Sequence, residues 1–223
     1  MKIGVVSEGI SDYGVIKHIV EIYLKELDAY TIPLKPKQKN NIQVGFGTWQ
    51  GVLEYVAGND LMIKEAVAED CVHIIIQIDT DVSPEYGVPF NEGKDMLDSF
   101  YENVKGLIES RIHTDIDREI IIYAVCIHTL ECWLIPFITD NNGKCLKINN
   151  CIRTVNNEIS SQHKNINVLD KNSTNSKNAY QFILKKKKKV DDIKKCAEYN
   201  IGFQKFLEQL ENIKLNNEEE ISE

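Results

Sequence analysis

A chain of 223 residues is long enough to bury a full hydrophobic core as one domain, or as one domain with an appendage. Its hydrophobic share of 43% is ordinary for a globular protein, and no stretch approaches the ~20 apolar residues of a membrane span. The net charge of −8 is unevenly divided, with 11 basic and 23 acidic side chains in residues 1–140 against 15 and 11 in residues 141–223. An acidic half beside a basic half suits an enzyme acting on nucleic acid, although the same lysines also fit plain solvation of helices.

The N-terminal run Met1-Lys2-Ile3-Gly4-Val5-Val6 meets Glu8 almost at once and has neither the apolar length nor the cleavage site of a signal peptide. The six cysteines, at 71, 126, 132, 145, 151 and 196, form no Cys-x-x-Cys pair, so zinc is not expected. Scattered in this way, they read as free thiols of a reducing cytoplasm.

Residues 2–7 read as a first strand. Residues 11–27 carry Val15, Ile16, Ile19, Val20, Tyr23, Leu24 and Leu27 at helical spacing, with Ser11 or Asp12 available as a cap. Residues 33–41 read as a basic polar loop, and residues 42–46 as a short strand. A helix is expected from about Thr48, an interruption at Gly58-Asn59-Asp60, and a second helical stretch over roughly 60–69.

The β-branched run at 72–78 reads as a buried strand, 83–93 as a loop marked by Pro84, Gly87 and Pro89, and 94–112 as a helix. Another buried strand covers 119–126, and 130–137 reads as a short helix ended by Pro136. This β-α alternation predicts an α/β fold with a mainly parallel sheet flanked by helices. Residues 139–215 read as a basic, mostly helical C-terminal region, with the lysine run 185–189 inside a helix. Residues 216–223 read as an acidic, frayed tail.

Acidic residues gather where the apolar runs stop. Ser7-Glu8-Gly9-Ile10-Ser11-Asp12 follows the first strand and Asp79-Thr80-Asp81 follows the run at 72–78. In open α/β sheets, chemistry collects beyond the carboxyl ends of the strands. Crowded carboxylates there are costly unless a cation neutralises them, which points to a hard divalent ion. A glycine after Glu8 admits a substrate backbone. Asp12 is equally well placed as a helix cap.

In an extended segment Asp79 and Asp81 point the same way and make a platform for Mg²⁺ or Mn²⁺; the alternative is an Asx turn. Glu131, in an otherwise apolar segment, is either a paired or liganding acid or a surface position of an amphipathic helix.

Glu-Gly after the first strand, Asp-x-Asp after a later one, and Leu130-Glu131-Cys132-Trp133-Leu134 together resemble the Toprim domain, over about residues 1–138. Glu-Gly-x-Ser-Asp, with Asp12, resembles its form in OLD-type nucleases, and the Glu131 segment is similar to the Glu-x-Trp of RloB-like, defence-associated proteins. The resemblance implies a metal-dependent nuclease hydrolysing DNA or RNA, in anti-phage defence. Glu8, Asp79 and Asp81 would be catalytic, with Asp12 and Glu131 completing the ligand set for one or two Mg²⁺ or Mn²⁺ ions.

There is no Walker A motif, so any ATPase partner would be a separate chain, and a homo-oligomer stays open. Lys177, Lys185, Lys186, Lys35 and Lys37 are the candidates for contacting the nucleic-acid backbone. Two other readings stand beside this one, and a third, a nucleotide-sugar transferase using Asp-x-Asp, lacks a distinct donor-site motif. Asp79-Thr80-Asp81-Val82 also fits the signature of haloacid-dehalogenase-type phosphatases with Asp79 as nucleophile, and a Toprim-like scaffold could bind nucleic acid or a partner without cutting.

Overall fold

The computed structural model describes residues 1–39, 42–44, 48–58, 61–90, 93, 96–163, 169 and 176–222. Six strands and ten α-helices occur among them. They are β1 (Lys2–Val6), α1 (Ile10–Tyr23), β2 (Tyr30–Lys35), β3 (Lys37–Lys39), β4 (Ile42–Val44), α2 (Trp49–Ala57), α3 (Leu61–Ala68), β5 (His73–Asp79), α4 (Leu97–Arg111), β6 (Ile121–Cys126), α5 (Glu131–Ile138), α6 (Asn142–Cys145), α7 (Cys151–Gln162), α8 (Lys177–Leu184), α9 (Val190–Ala197) and α10 (Ile201–Ser222). Four strands form a wholly parallel sheet in the order β2-β1-β5-β6, and β3 and β4 make a small antiparallel ribbon. The expected α/β fold with a parallel sheet is therefore present.

Alternation along the strands divides the interior into two cores. Ile3, Val5, Ile75, Ile122, Ala124 and Cys126 face one layer, where α1, α5 and α7 to α10 pack. Val6, Ile74, Ile76, Ile78, Tyr123 and Val125 face the other, under α2, α3 and α4. The C-terminal helices are thus half of one face of the sheet. Trp133 lies at the centre of that face, fully buried and stacked 4.7 Å from Phe203 at an interplanar angle of 4°.

Helix α10 also closes the β6 edge of the sheet. Gln209 accepts a hydrogen bond from the Tyr123 amide at 2.8 Å and donates to the Tyr123 carbonyl at 3.0 Å, replacing the strand that is not there. Gly202 lets the helix backbone approach so closely that a methyl group would be driven into the Val125 carbonyl oxygen.

Several local expectations are corrected. Residues 30–35 form a strand where 33–41 reads as a loop; Pro33 is tolerated because β2 is an edge strand. Helix α5 runs through Pro136 to Ile138. Residues 185–189 are the turn between α8 and α9, held to α1 by His18 Nε2 against the Lys187 carbonyl at 2.9 Å. Residues 216–222 continue α10, and no glycine or proline follows Gly202 to stop it.

The thiols are not all free either. Cys132 and Cys151 form a disulfide joining α5 to α7, while Cys71, Cys126, Cys145 and Cys196 are buried thiols. Helix crossing brings the pair together, with Cα atoms 5.0 Å apart across 19 residues of sequence.

Two substitutions check the α10 closure. Gly202→Ala is expected to destabilise the protein by about 1–3 kcal/mol through overpacking against rigid backbone. Gln209→Leu is expected to cost a similar ~1–3 kcal/mol, by orphaning the Tyr123 amide and leaving its carbonyl only the longer bond from the Tyr101 hydroxyl at 3.4 Å. Urea midpoints at constant slope read both losses.

Candidate functional site

Because the four strands are parallel, their carboxyl ends share one edge. Across it lie Lys35 at the end of β2, Glu8 after β1, Asp79 ending β5, and the segment 127–130 after β6. The connections leave β1 and β5 in opposite directions along the sheet, and α1 covers one face while α2 to α4 cover the other. The β1/β5 boundary is therefore the topological switch point, where such sheets open a crevice.

Glu8 and Asp79 meet at that boundary. Glu8 Oε1 accepts a hydrogen bond from the Asp79 amide at 2.7 Å, and the Glu8 amide donates to Gln77 Oε1 at 3.1 Å. Gln77 Nε2 donates to Asp79 Oδ1 at 3.0 Å, and the Leu130 amide donates to the same oxygen at 3.0 Å. Asp79 is 2% exposed and Gln77 is fully buried, so this network lies under the edge. Gln77 is a residue that the sequence reading passed over. Its signal was there, as the one amide inside an apolar run, two residues before Asp79 and so on the same face.

Glu131, next to Leu130, opens α5 and is 1% exposed. Its Oε1 accepts from the Tyr180 hydroxyl at 2.6 Å, and its Oε2 has no hydrogen-bond partner among the described residues. Burial, and then the charge of Glu131, push the Tyr180 hydroxyl pKa far up; Asp12 and Asp79 add to it. Tyr180 therefore stays protonated and donates. Nothing in the sequence distinguishes Tyr180, which reaches Glu131 only because α8 packs against α1 and α5.

Asp12 lies in the first turn of α1, whose N-cap is Gly9 and not Ser11 or Asp12. Its carboxylate folds over Gly9, where a methyl group would sit 2.8 Å from Oδ2. Burial raises the pKa of the Cys126 thiol, and Asp79, Asp12 and Glu8 raise it further. Burial likewise raises that of Tyr86, helped by Glu8, Asp79 and Asp81, and Tyr86 donates to the Asp79 carbonyl at 3.1 Å. The acids at 8, 12, 79 and 131 thus act on common neighbours.

Asp81 is placed differently. The strand stops at Asp79, and the amides of Thr80 and Asp81 both donate to the His128 carbonyl, at 2.7 and 2.9 Å. Asp81 is exposed and lines an adjoining cavity of about 460 Å³ with His128, Thr129 and the start of α7.

Among the lysines, Lys35 lies on the same edge, half-buried, with its ammonium beside Gly51. Lys177 is exposed one turn before Tyr180. Lys185 and Lys186 follow the opposite end of α8, about 12 Å along the eight-residue helix. Lys186 bonds Gln162 and lies 4.7 Å over the Phe182 ring. The Lys37 side chain lies outside the described residues.

Among the described residues no three His, Cys, Asp or Glu side chains are arranged to hold a metal ion. Two features fit one nonetheless: the candidate donors are all hard carboxylate oxygens, and Glu131 Oε2 is buried without a hydrogen-bond partner among the described residues. No protein-family model matches the chain, nor does any curated protein or solved structure.

Tyr180→Phe tests the support of Glu131. Removing the donor leaves a buried carboxylate oxygen unsatisfied, at an expected cost of about 1–3 kcal/mol in urea unfolding. In the Tyr180→Phe, Glu131→Gln double variant most of that cost should be recovered, because the buried charge is gone.

Proposed function

We propose that this protein is a Mg²⁺- or Mn²⁺-dependent hydrolase of phosphodiester bonds in nucleic acid, acting at the carboxyl edge of the sheet. The observation that carries the reading is the joining of Glu8 to Asp79 across the switch point, beside a buried Glu131 whose Oε2 has no partner among the described residues. Glu8 and Asp79, joined at the edge, would offer the ion its first oxygens, with Asp12, Asp81 and Glu131 as the further acids of this region. When bound, such an ion polarises a phosphoryl oxygen and lowers the pKa of a coordinated water.

The chain's own groups prepare that step. Gln77 and the Leu130 amide fix one oxygen of Asp79, which leaves its orientation determined by β5 and β6. Tyr180 turns Glu131 and keeps its proton, so it orients without taking part in proton transfer. Lys35 and Lys177 are the cations placed to meet the substrate backbone.

A role in anti-phage defence, alone or with a separate ATPase chain, belongs to this reading by resemblance; the cytoplasmic location rests on the N-terminal run and on the cysteines, of which Cys132 and Cys151 depart from the free-thiol reading. No helix among the described residues is long and apolar enough to cross a membrane. The phosphatase alternative asks Asp79 to attack phosphorus, and a carboxylate that is 2% exposed and holds two hydrogen bonds on Oδ1 is poorly placed for it.

Cleavage of labelled single- and double-stranded DNA and RNA with Mg²⁺ or Mn²⁺ tests the proposal. Asp79→Asn and Glu131→Gln are each expected to reduce the rate roughly a thousandfold, the equivalent of several kcal/mol of lost charge stabilisation. Intact nucleic acid together with turnover of a phosphomonoester through Asp79 would replace this reading by the phosphatase. Binding of nucleic acid without turnover of either would leave a binding module.

A further inference from the structure

The cavity of about 460 Å³ beside the acidic network has a composition of its own. Asp81, His128 and Thr129 form one wall, and Asn150, Cys151, Ile152, Arg153, Asn156 and Asn157 from the start of α7 form the other. Residues 151–153 are the first helical positions of a twelve-residue helix, where backbone N–H groups have no partner within the helix. The Asn150 side chain does not cap them. These donors and the positive end of the helix dipole therefore meet the cavity.

Two side chains add to this. Arg153 is exposed, lines the cavity, and forms no ion pair with a described residue. Thr129 is 2% exposed, and its Oγ1 has no hydrogen-bond partner among the described residues. A buried hydroxyl without a partner is costly and asks for a ligand oxygen. The Asn156 amide, by contrast, is spent on both backbone groups of Leu169, at 2.9 and 2.6 Å.

The wall is also fixed in place. Cys151, the first residue of α7, is bonded to Cys132, which directly follows Glu131. The Asp81 and Thr80 amides are tied to His128. The cavity and the acidic network thus share both strand ends and the start of α5.

We infer that this cavity binds a phosphate group, and that under the proposed function it holds the phosphate next to the one being cleaved. A planar guanidinium, backbone N–H donors and a hydroxyl are complementary to phosphate oxygens. The opposing group is Asp81, whose charge weakens a bare anion and is offset when a cation accompanies the substrate. The placement rests on the proposed function; the phosphate site itself does not.

Binding of inorganic phosphate, and of dithymidylate with and without a 5′-phosphate, measured by calorimetry in chelator, tests the site without any cleavage. The phosphorylated dinucleotide should bind more tightly than its 5′-hydroxyl counterpart. Arg153→Ala should weaken phosphate binding about tenfold or more, and Thr129→Val severalfold. Asp81→Asn should tighten it in the absence of metal. Thr129→Val removes no hydrogen bond made within the described chain, so its melting temperature should be equal or higher, which separates binding from folding.

Phosphate binding that both Arg153→Ala and Thr129→Val leave unchanged, or that Asp81→Asn weakens, would overturn the inference. So would the absence of measurable phosphate binding in the Asp81→Asn protein. Failure of metal-dependent cleavage with phosphate binding intact would sink the nuclease reading and leave the site standing.

Discussion

The hydrogen bond from the Asp79 amide to Glu8 ties the turn after β1 to the last residue of β5, and the rest of the edge is built around it. Two carboxylates at the ends of adjacent parallel strands repel, and burial makes that repulsion stronger. Here it is moderated because Glu8 takes a backbone donor from Asp79 and Asp79 takes donors from Gln77 and Leu130. Each acid thus has an oxygen engaged by a backbone or side-chain amide of the sheet. A cation would find these oxygens already oriented by the sheet.

The C-terminal helices supply what the sheet cannot. Tyr180 of α8 brings a donor to Glu131, and the disulfide from Cys132 to Cys151 fixes the start of α7 next to the same helix. Trp133, two residues after Glu131 and so on the opposite side of the helix, packs flat on Phe203 of α10 and anchors α5 in the core. The Glu-x-Trp segment therefore combines two jobs, an acid held at the edge and an aromatic that locks its helix. Helix α10 in turn covers the β6 edge, where Gln209 bonds both backbone groups of Tyr123.

Charge is arranged locally and not by halves of the chain. The lysine turn at 185–189 is held near the later part of α1, six residues or about 9 Å of helix beyond Asp12. Lys35, on the acidic edge, and Arg153, lining the cavity beside it, stand at strand and helix ends that come from opposite regions of the sequence. Single basic side chains at element ends fit recognition of individual phosphates better than a run of lysines on one turn.

Much of the fold was legible in the sequence because it is written in local pattern. The runs at 2–7, 72–78 and 119–126 are strands within two residues at each end, and Thr48 caps α2 by accepting from the Gly51 amide at 3.2 Å. Acids at strand ends were legible for the same reason, since a charge that follows an apolar run marks where the buried strand meets the surface. Strand β2 was hidden by Pro33, which only an edge position permits. Tyr180, Arg153, Thr129 and the Cys132–Cys151 pair carry no local signature, because their meaning depends on what lies opposite them. The sequence by itself determined the α/β alternation and the positions of Glu8, Asp79 and Glu131 along it. Only the tertiary structure decided that Asp79 is buried while Asp81 turns out to a separate cavity, because the extended geometry that would align them ends at Asp79, where the His128 carbonyl captures the next two amides.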